Sequence, residues 1–164
     1  MQKPEGSIKG RGAAGNVPVR FDALQREAVP PDFSDDAERT SAKTTITLKQ
    51  ARTIISRNAS PDVPFTQSIN PYQGCEHGCI YCYARPSHAY LGLSPGLDFE
   101  TKLFGKVNAA DLLRKELSSP GYRCELIALG ANTDPYQPVE REHRITRGII
   151  EVLAQFKNPL SIVT

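Results

Sequence analysis

The heptapeptide CELIALG at positions 124–130 narrows the fold more than any other stretch of this chain. A nearly continuous apolar run of that length suits a parallel strand covered on both faces. A polar loop, ANTDPYQP, comes next, and then Ile145, Ile149, Val152, Leu153 and Phe156 follow at helical spacing. Pro138 suits the first turn of that helix. PLSIVT at 159–164 opens another buried strand. The same alternation holds upstream. FTQSIN (65–70) and TKLFGKV (101–107) read as short strands, and Asn108 as the N-cap of a helix with Asp111 as its capping-box partner. Ala109, Leu112, Leu113 and Leu117 would share one face of that helix. Strand, loop and helix in repetition predict βα units on a parallel sheet. TTITLKQARTIISRN (44–58) fits either a short strand or an amphipathic helix using Leu48, Ala51, Ile54 and Ile55.

With 164 residues and 39% apolar content, one ordinary core is the expectation. Residues 1–57 form a leader, mostly disordered or wrapped over another surface, ahead of a body at 58–164, because the leader's first part is Pro- and Gly-rich and lacks a sustained period. Acidic and basic side chains cancel there, which favours a solvated leader over a nucleic-acid arm. The net charge of +2 neither demands nor excludes a polyanionic partner. No apolar stretch reaches the roughly 18 to 20 residues of a membrane span, and the N-terminus lacks the apolar centre of a signal peptide, so a cytoplasmic chain without a membrane partner is expected.

Three of the four cysteines, Cys75, Cys79 and Cys82, fall in the run GCEHGCIYC. In a reducing compartment such a cluster reads as metal ligands rather than as disulfides. Thiolates suit zinc or an iron–sulfur cluster. Structural zinc wants four ligands, commonly as two separated pairs, and this run supplies three; His77 or His88 could complete a Cys3His set. In a four-iron cube, three thiolates leave one iron open for a substrate or cofactor. Gly74 and Gly78 let the loop fold tightly around such a group. Cys124, inside the predicted strand, reads as a small buried side chain and not as a ligand. His77, His88 and His143 read as structural or solvated, and Arg85 and Lys102 as paired or solvated rather than as contacts to a substrate anion.

The C-x3-C-x2-C run with Tyr81 before its last cysteine resembles the radical S-adenosylmethionine (SAM) superfamily. NPYQGCEHGCIYCYARP, LGLSPGLDFE and GANTDPYQPVE together look like its spore-photoproduct-lyase-like, DNA-repair-photolyase-like bacterial branch. The resemblance implies an α/β fold, the N-terminal part of a partial (β/α)6 TIM-like barrel with parallel strands. It implies a [4Fe-4S] cluster held by Cys75, Cys79 and Cys82, with SAM chelated at the open iron. Reduction then yields a 5'-deoxyadenosyl radical that abstracts hydrogen from a substrate. Tyr81 would contact the adenine. Gly130, Ala131 and Asn132 align with the superfamily's Gly-Gly-Glu segment, so Asn132 and Thr133, or Asp134 in their place, would meet the methionyl group. An electron donor such as flavodoxin or ferredoxin is the implied partner. The substrate stays open, a nucleic-acid lesion being one candidate, and a non-enzymatic zinc or iron–sulfur module is the alternative. At roughly 30 residues per βα unit, positions 66–164 build about three of six units, so the chain is expected to be a fragment that holds a cluster weakly when alone.

Overall fold

The computed structural model describes residue 8 and residues 10–21 and 43–164. Much of the predicted leader, residues 1–7, 9 and 22–42, lies outside the described residues. Two sheets form the framework. In the first, β1 (Thr45–Lys49), β5 (Lys102–Lys106) and β4 (Tyr72–Gln73) lie in the order β1-β5-β4. In the second, β2 (Ile55–Arg57), β3 (Gln67–Ile69), β6 (Ile127–Leu129) and β7 (Leu160–Ile162) lie in that order. Pairing is parallel for β1 with β5, β3 with β6 and β6 with β7, and antiparallel for β2 with β3 and β4 with β5. The expected parallel arrangement therefore describes β3-β6-β7 and the β1-β5 pair, while β2 and β4 join their sheets as antiparallel edge strands.

The ambiguous stretch 44–58 becomes two strands. Thr45, Ile46 and Thr47 are β-branched and stiff at χ1, and Ile54 is buried while Ile55 pairs with Ile69. The helical reading of this stretch is therefore not adopted. β1 and β2 also sit inside the predicted leader, so the paired body begins ahead of position 58.

A short helix, α1 (Leu97–Thr101), leads into β5, and two amphipathic helices cover one face of the second sheet. α2 (Ala109–Leu117) buries Ala109, Leu113 and Leu117, while Leu112 is only partly buried. α4 (Ile145–Gln155) buries Ile145, Ile149, Val152 and Leu153. They meet Ile69, Ile127 and Leu129 of the strands in one apolar core. Fully burying such a side chain contributes about 1.5–3 kcal/mol, so apolar burial is the main force on this layer.

Several local expectations are corrected. Asn108 does precede α2, but its side chain makes no cap. Its amide instead accepts from Ala51 N–H at 2.8 Å and donates to Ala51 C=O at 2.9 Å, tying the end of β1 to the helix. β6 is shorter than the apolar run, and Cys124 is exposed rather than buried, its Sγ 3.3 Å from Asn158 Oδ1. Pro138 precedes α3 (Glu140–His143) instead of lying in its first turn. The chain then breaks at Arg144, which takes a left-handed conformation with φ 51°, before α4 begins. Phe156 is past the end of α4 and 39% exposed, so it leaves the stripe. β7 is partly exposed rather than buried, as the outermost strand of its sheet.

Candidate functional site: the cysteine loop and the β6 turn

In parallel α/β sheets, ligands collect at the carboxyl ends of the strands. Here β3 and β6 run side by side, and the segments leaving their ends meet. Gly130 follows β6 with φ +84°, and a Cβ there would lie 2.5 Å from Pro135 Cδ and 2.6 Å from the Val163 carbonyl oxygen. Only glycine suits that turn. The chain leaving β3 passes through β4 into the cysteine loop, turning at Gly74, whose φ is +78°. A Cβ at Gly74 would meet Leu103 and the Phe99 carbonyl at under 3.0 Å.

Between these segments lies a cavity of about 300 Å3 lined by Cys75, Cys79 and Cys82 on one side and by Gly130, Asn132, Thr133 and Asp134 on the other. The predicted thiols and the predicted β6 turn thus share one space. Cys75 is buried, Cys82 partly buried and Cys79 exposed. Burial pushes the Cys75 thiol above its ordinary pKa, while the backbone amides of His77 and Asp134 pull it down. Losing this proton without a cation is disfavoured, which is the setting in which a thiolate gains from a metal centre.

The turn residues differ in how they are engaged. Asn132 N–H donates to Asn70 Oδ1 at 2.7 Å, and its side chain reaches Ser87 Oγ at 3.3 Å. Thr133 is buried, its hydroxyl donating to the Tyr72 carbonyl at 3.0 Å. Asp134 accepts from Tyr136 N–H at 2.7 Å and lies 3.7 Å from His77 Nε2, which brings a cysteine-loop residue against the β6 turn.

Tyr81 is placed elsewhere. It is 86% exposed and does not line the cavity. Tyr83 takes that position, its hydroxyl bonded to the Ala131 carbonyl. Both rings are largely exposed, Tyr83 at 75%, and the turn through Cys82 brings only Tyr83 to the edge of the cavity. His88 is fully buried, with Nε2 2.9 Å from the Lys102 carbonyl and its ring edge-on to Phe99. His143 Nε2 is buried without a hydrogen-bond partner. Lys102 pairs with Asp98 at 3.0 Å. Arg85 pairs with Glu100 at 2.6 Å and donates to the Cys79 carbonyl.

Two residues that sequence reasoning passed over hold the loop in place. Gln137 is fully buried; its Nε2 donates to the Gly74 carbonyl at 3.1 Å and its Oε1 accepts from Glu76 N–H at 3.2 Å. Glu100 is also fully buried. Both stand in the stretches singled out above, LGLSPGLDFE and GANTDPYQPVE. Neither LDFETK nor PYQPVE carries a local signal that sets these two residues apart.

Among the described residues, no three Cys, His, Asp or Glu side chains are gathered as closely as a bound ion requires. By chemistry the donor set is of the kind a sulfur-ligated centre uses, since three cysteines line one cavity. No helix among the described residues is long and apolar enough to cross a membrane.

Comparison with other proteins gives relatives without an assigned activity. Uncharacterized proteins of Mycobacterium tuberculosis (strain H37Rv) and Mycobacterium bovis are each 50% identical over 102 residues, which is 62% of this chain and 30% of theirs. An uncharacterized protein of Methanocaldococcus jannaschii is 29% identical over 97 residues, 58% of this chain and 34% of its own. The chain thus spans about a third of the length of the curated relatives it matches. No protein-family profile matches it, and no solved structure does.

Proposed function

We propose that this chain carries the cluster-binding portion of a radical SAM enzyme, in the N-terminal part of a TIM-like barrel. Cys75, Cys79 and Cys82 hold a [4Fe-4S] cluster, and the cofactor lies between them and the β6 turn. One observation carries the reading: the three thiols and Gly130, Asn132, Thr133 and Asp134 line one cavity at the carboxyl ends of parallel strands. When bound and reduced by a donor such as flavodoxin or ferredoxin, cluster and cofactor supply a 5'-deoxyadenosyl radical that takes a hydrogen atom from substrate. The protein's own residues do the rest. Gly130 leaves room for a close approach of ligand to backbone. Asp134 is the acid at the turn, its carboxylate held by Tyr136 N–H and the Thr164 hydroxyl, while Thr133 gives its hydroxyl to the Tyr72 carbonyl. Tyr83 lines the cavity where Tyr81 was expected to contact adenine. A nucleic-acid lesion remains a candidate substrate.

A second reading rests on His77, which lines the same cavity as the three cysteines and so could make a Cys3His zinc or other non-enzymatic metal module. His88 does not serve it, being committed to the Lys102 carbonyl. Anaerobic reconstitution of the full-length protein decides between them. The enzyme reading requires four irons per chain, a spectrum that changes when SAM is added, and formation of 5'-deoxyadenosine under strong reductant. Alanine at Cys75, Cys79 or Cys82 should abolish the iron and alanine at Cys124 should spare it. A colourless protein with one zinc per chain would sink the enzyme.

A further inference from the structure

Residues 11–17 pack against the cysteine loop, far from it in sequence, and two of their backbone amides meet one buried carboxylate. Glu100 is fully buried, and its oxygens accept from Ala13 N–H at 2.9 Å, Gly12 N–H at 3.1 Å and the Arg85 guanidinium at 2.6 Å. Arg85 in turn donates to the Cys79 carbonyl at 3.1 and 2.9 Å through Nε and Nη2. A chain of charge-assisted bonds therefore links the N-terminal segment to the middle thiol-bearing residue. Arg11 adds a second link, with its guanidinium 3.0 Å from the Glu100 carbonyl and 3.5 Å from the Glu76 carboxylate. Further along, Asn16 exchanges hydrogen bonds with Asp98, its Oδ1 accepting from the backbone N–H at 2.8 Å and its Nδ2 donating to the carboxylate at 3.0 Å. Val17 N–H donates to Ser94 Oγ at 2.8 Å.

The seat is tight as well as polar. A Cβ built on Gly12 would stand 1.9 Å from the Gly78 carbonyl oxygen, inside the cysteine loop, whereas one on Gly15 would meet nothing within 4 Å. Gly12 does not have a positive φ, so its requirement comes from packing against the loop and not from its own backbone.

We propose that residues 11–17 are a strap that holds the cysteine loop in its ligating shape, with Glu100 as the positioning residue at its anchor. The strap supplies no ligand. It packs against Gly78 and, through Glu100 and Arg85, holds the Cys79 carbonyl just ahead of the exposed Ile80 and Tyr81, and with Ile80, Cys82 and Arg85 it lines a second space of about 660 Å3. Outer contacts of this kind set how strongly a metal site holds its metal. Glu100→Gln would put an amide NH2 against the Gly12 donor or against the Ala13 and Arg85 donors together, and leave that guanidinium buried without its charge partner.

This inference rests on the reading that the loop holds a cluster, so the test has two readouts. The first needs no metal: hydrogen exchange at the Gly12 and Ala13 amides in the apo full-length protein. Both should be protected in the parent and in Gly15→Ala, and released in Gly12→Ala and Glu100→Gln, while the urea midpoint for the helical core stays unchanged. The second is cluster retention after anaerobic reconstitution. Gly12→Ala and Glu100→Gln should lose iron about tenfold faster than the parent, as for other outer-shell lesions, and the reduced cluster should give a more heterogeneous electron paramagnetic resonance spectrum. Unprotected amides in the parent would overturn the strap. So would a released strap with normal iron retention and an unchanged spectrum. A parent that takes up no iron but shows the protection pattern would sink the cluster reading and, with it, the strap's role in ligation, while leaving the contact itself established.

Discussion

The apolar layer and the cysteine side of this molecule are held by different physics. Twelve buried side chains join the strands to α2 and α4, and all but Tyr72 are aliphatic. Around the cysteine loop the buried apolar set shrinks to Cys75, Ala84 and Phe99, with Cys82 against them. In its place stand buried polar groups, among them His88, Ser94, Asp98, Glu100 and Gln137. Burial of apolar surface is non-directional and tolerates small shifts. Hydrogen bonds to buried carboxylates and amides are directional and costly to break singly. The first side can therefore form on its own, and the second needs every partner in position, the strap included.

The largest effect that separates the two sides belongs to the core. Ile149→Ala removes a fully buried side chain where α4 faces the sheet and should cost about 3 kcal/mol in urea unfolding, within the range for such truncations. Exchange at the Gly12 and Ala13 amides should keep its protection in moderate urea until the whole domain unfolds. A strap that frees itself in Ile149→Ala while the helices remain would show that the two sides share more than this contrast allows.

Alkaline pH provides a second, smaller probe. Lys106 lies beside Lys49 in the parallel pairing of β1 and β5. Burial, with the Lys49 charge in addition, lowers its pKa from 10.5 to about 8. Below about pH 8, folded and unfolded chains both carry the proton and stability does not vary from this source. Between there and the unfolded value the folded chain has lost the proton and the unfolded chain keeps it, so stability rises with pH. After allowance for partial exposure the gain is about 2 kcal/mol. Lys106→Met should flatten that rise and stabilise the protein at neutral pH. A parent whose urea midpoint is flat across the window would refute the assignment. The cysteine side responds at the other end of the scale. For Asp98, burial acts to raise the carboxyl pKa, but bonds from Lys102, Ser94 and Asn16 outweigh it and leave the pKa below the ordinary value. Its contribution is present above the unfolded pKa and is lost as acid protonates it, so the strap should loosen in acid before the core does.

The same contrast explains what could be read from the sequence. Period and apolar runs located β3, β5, β6, α2 and α4, because those elements are specified by which residues must leave water. The C-x3-C-x2-C run stands out by its spacing alone, whereas the GANTD turn is singled out only through the family resemblance; the fold brings the two to one cavity. Glu100, Gln137 and the strap were not legible, since their roles depend on partners 61 to 88 residues away. Tyr81 and Tyr83 are chemically the same, and only the turn of the backbone around Cys82 decides which of them faces the cavity. Cys124 is exposed because the apolar run outlasts the strand, its first residues lying outside the ladder.

Asn108 gives the smallest and most local test of the difference between sequence signal and structural role. An asparagine before an apolar helix with an acid three residues later is the signature of a capping box. In the structure that side chain is spent on Ala51, taking one hydrogen bond from its N–H and giving one to its C=O. Both readings make Asn108→Ala destabilising, by about 1 kcal/mol for a lost cap or a lost pair of backbone contacts. Serine separates them. It caps helices as well as asparagine does, so a capping role predicts that Asn108→Ser is close to neutral. It has no amide to satisfy both Ala51 groups, so the bridging role predicts a loss near that of alanine. Asp111→Ala should cost less than about 0.5 kcal/mol, as a surface substitution without a partner does. A neutral Asn108→Ser with a costly Asp111→Ala would restore the capping box and remove the tie between β1 and α2 from the forces that set the first sheet against the helices.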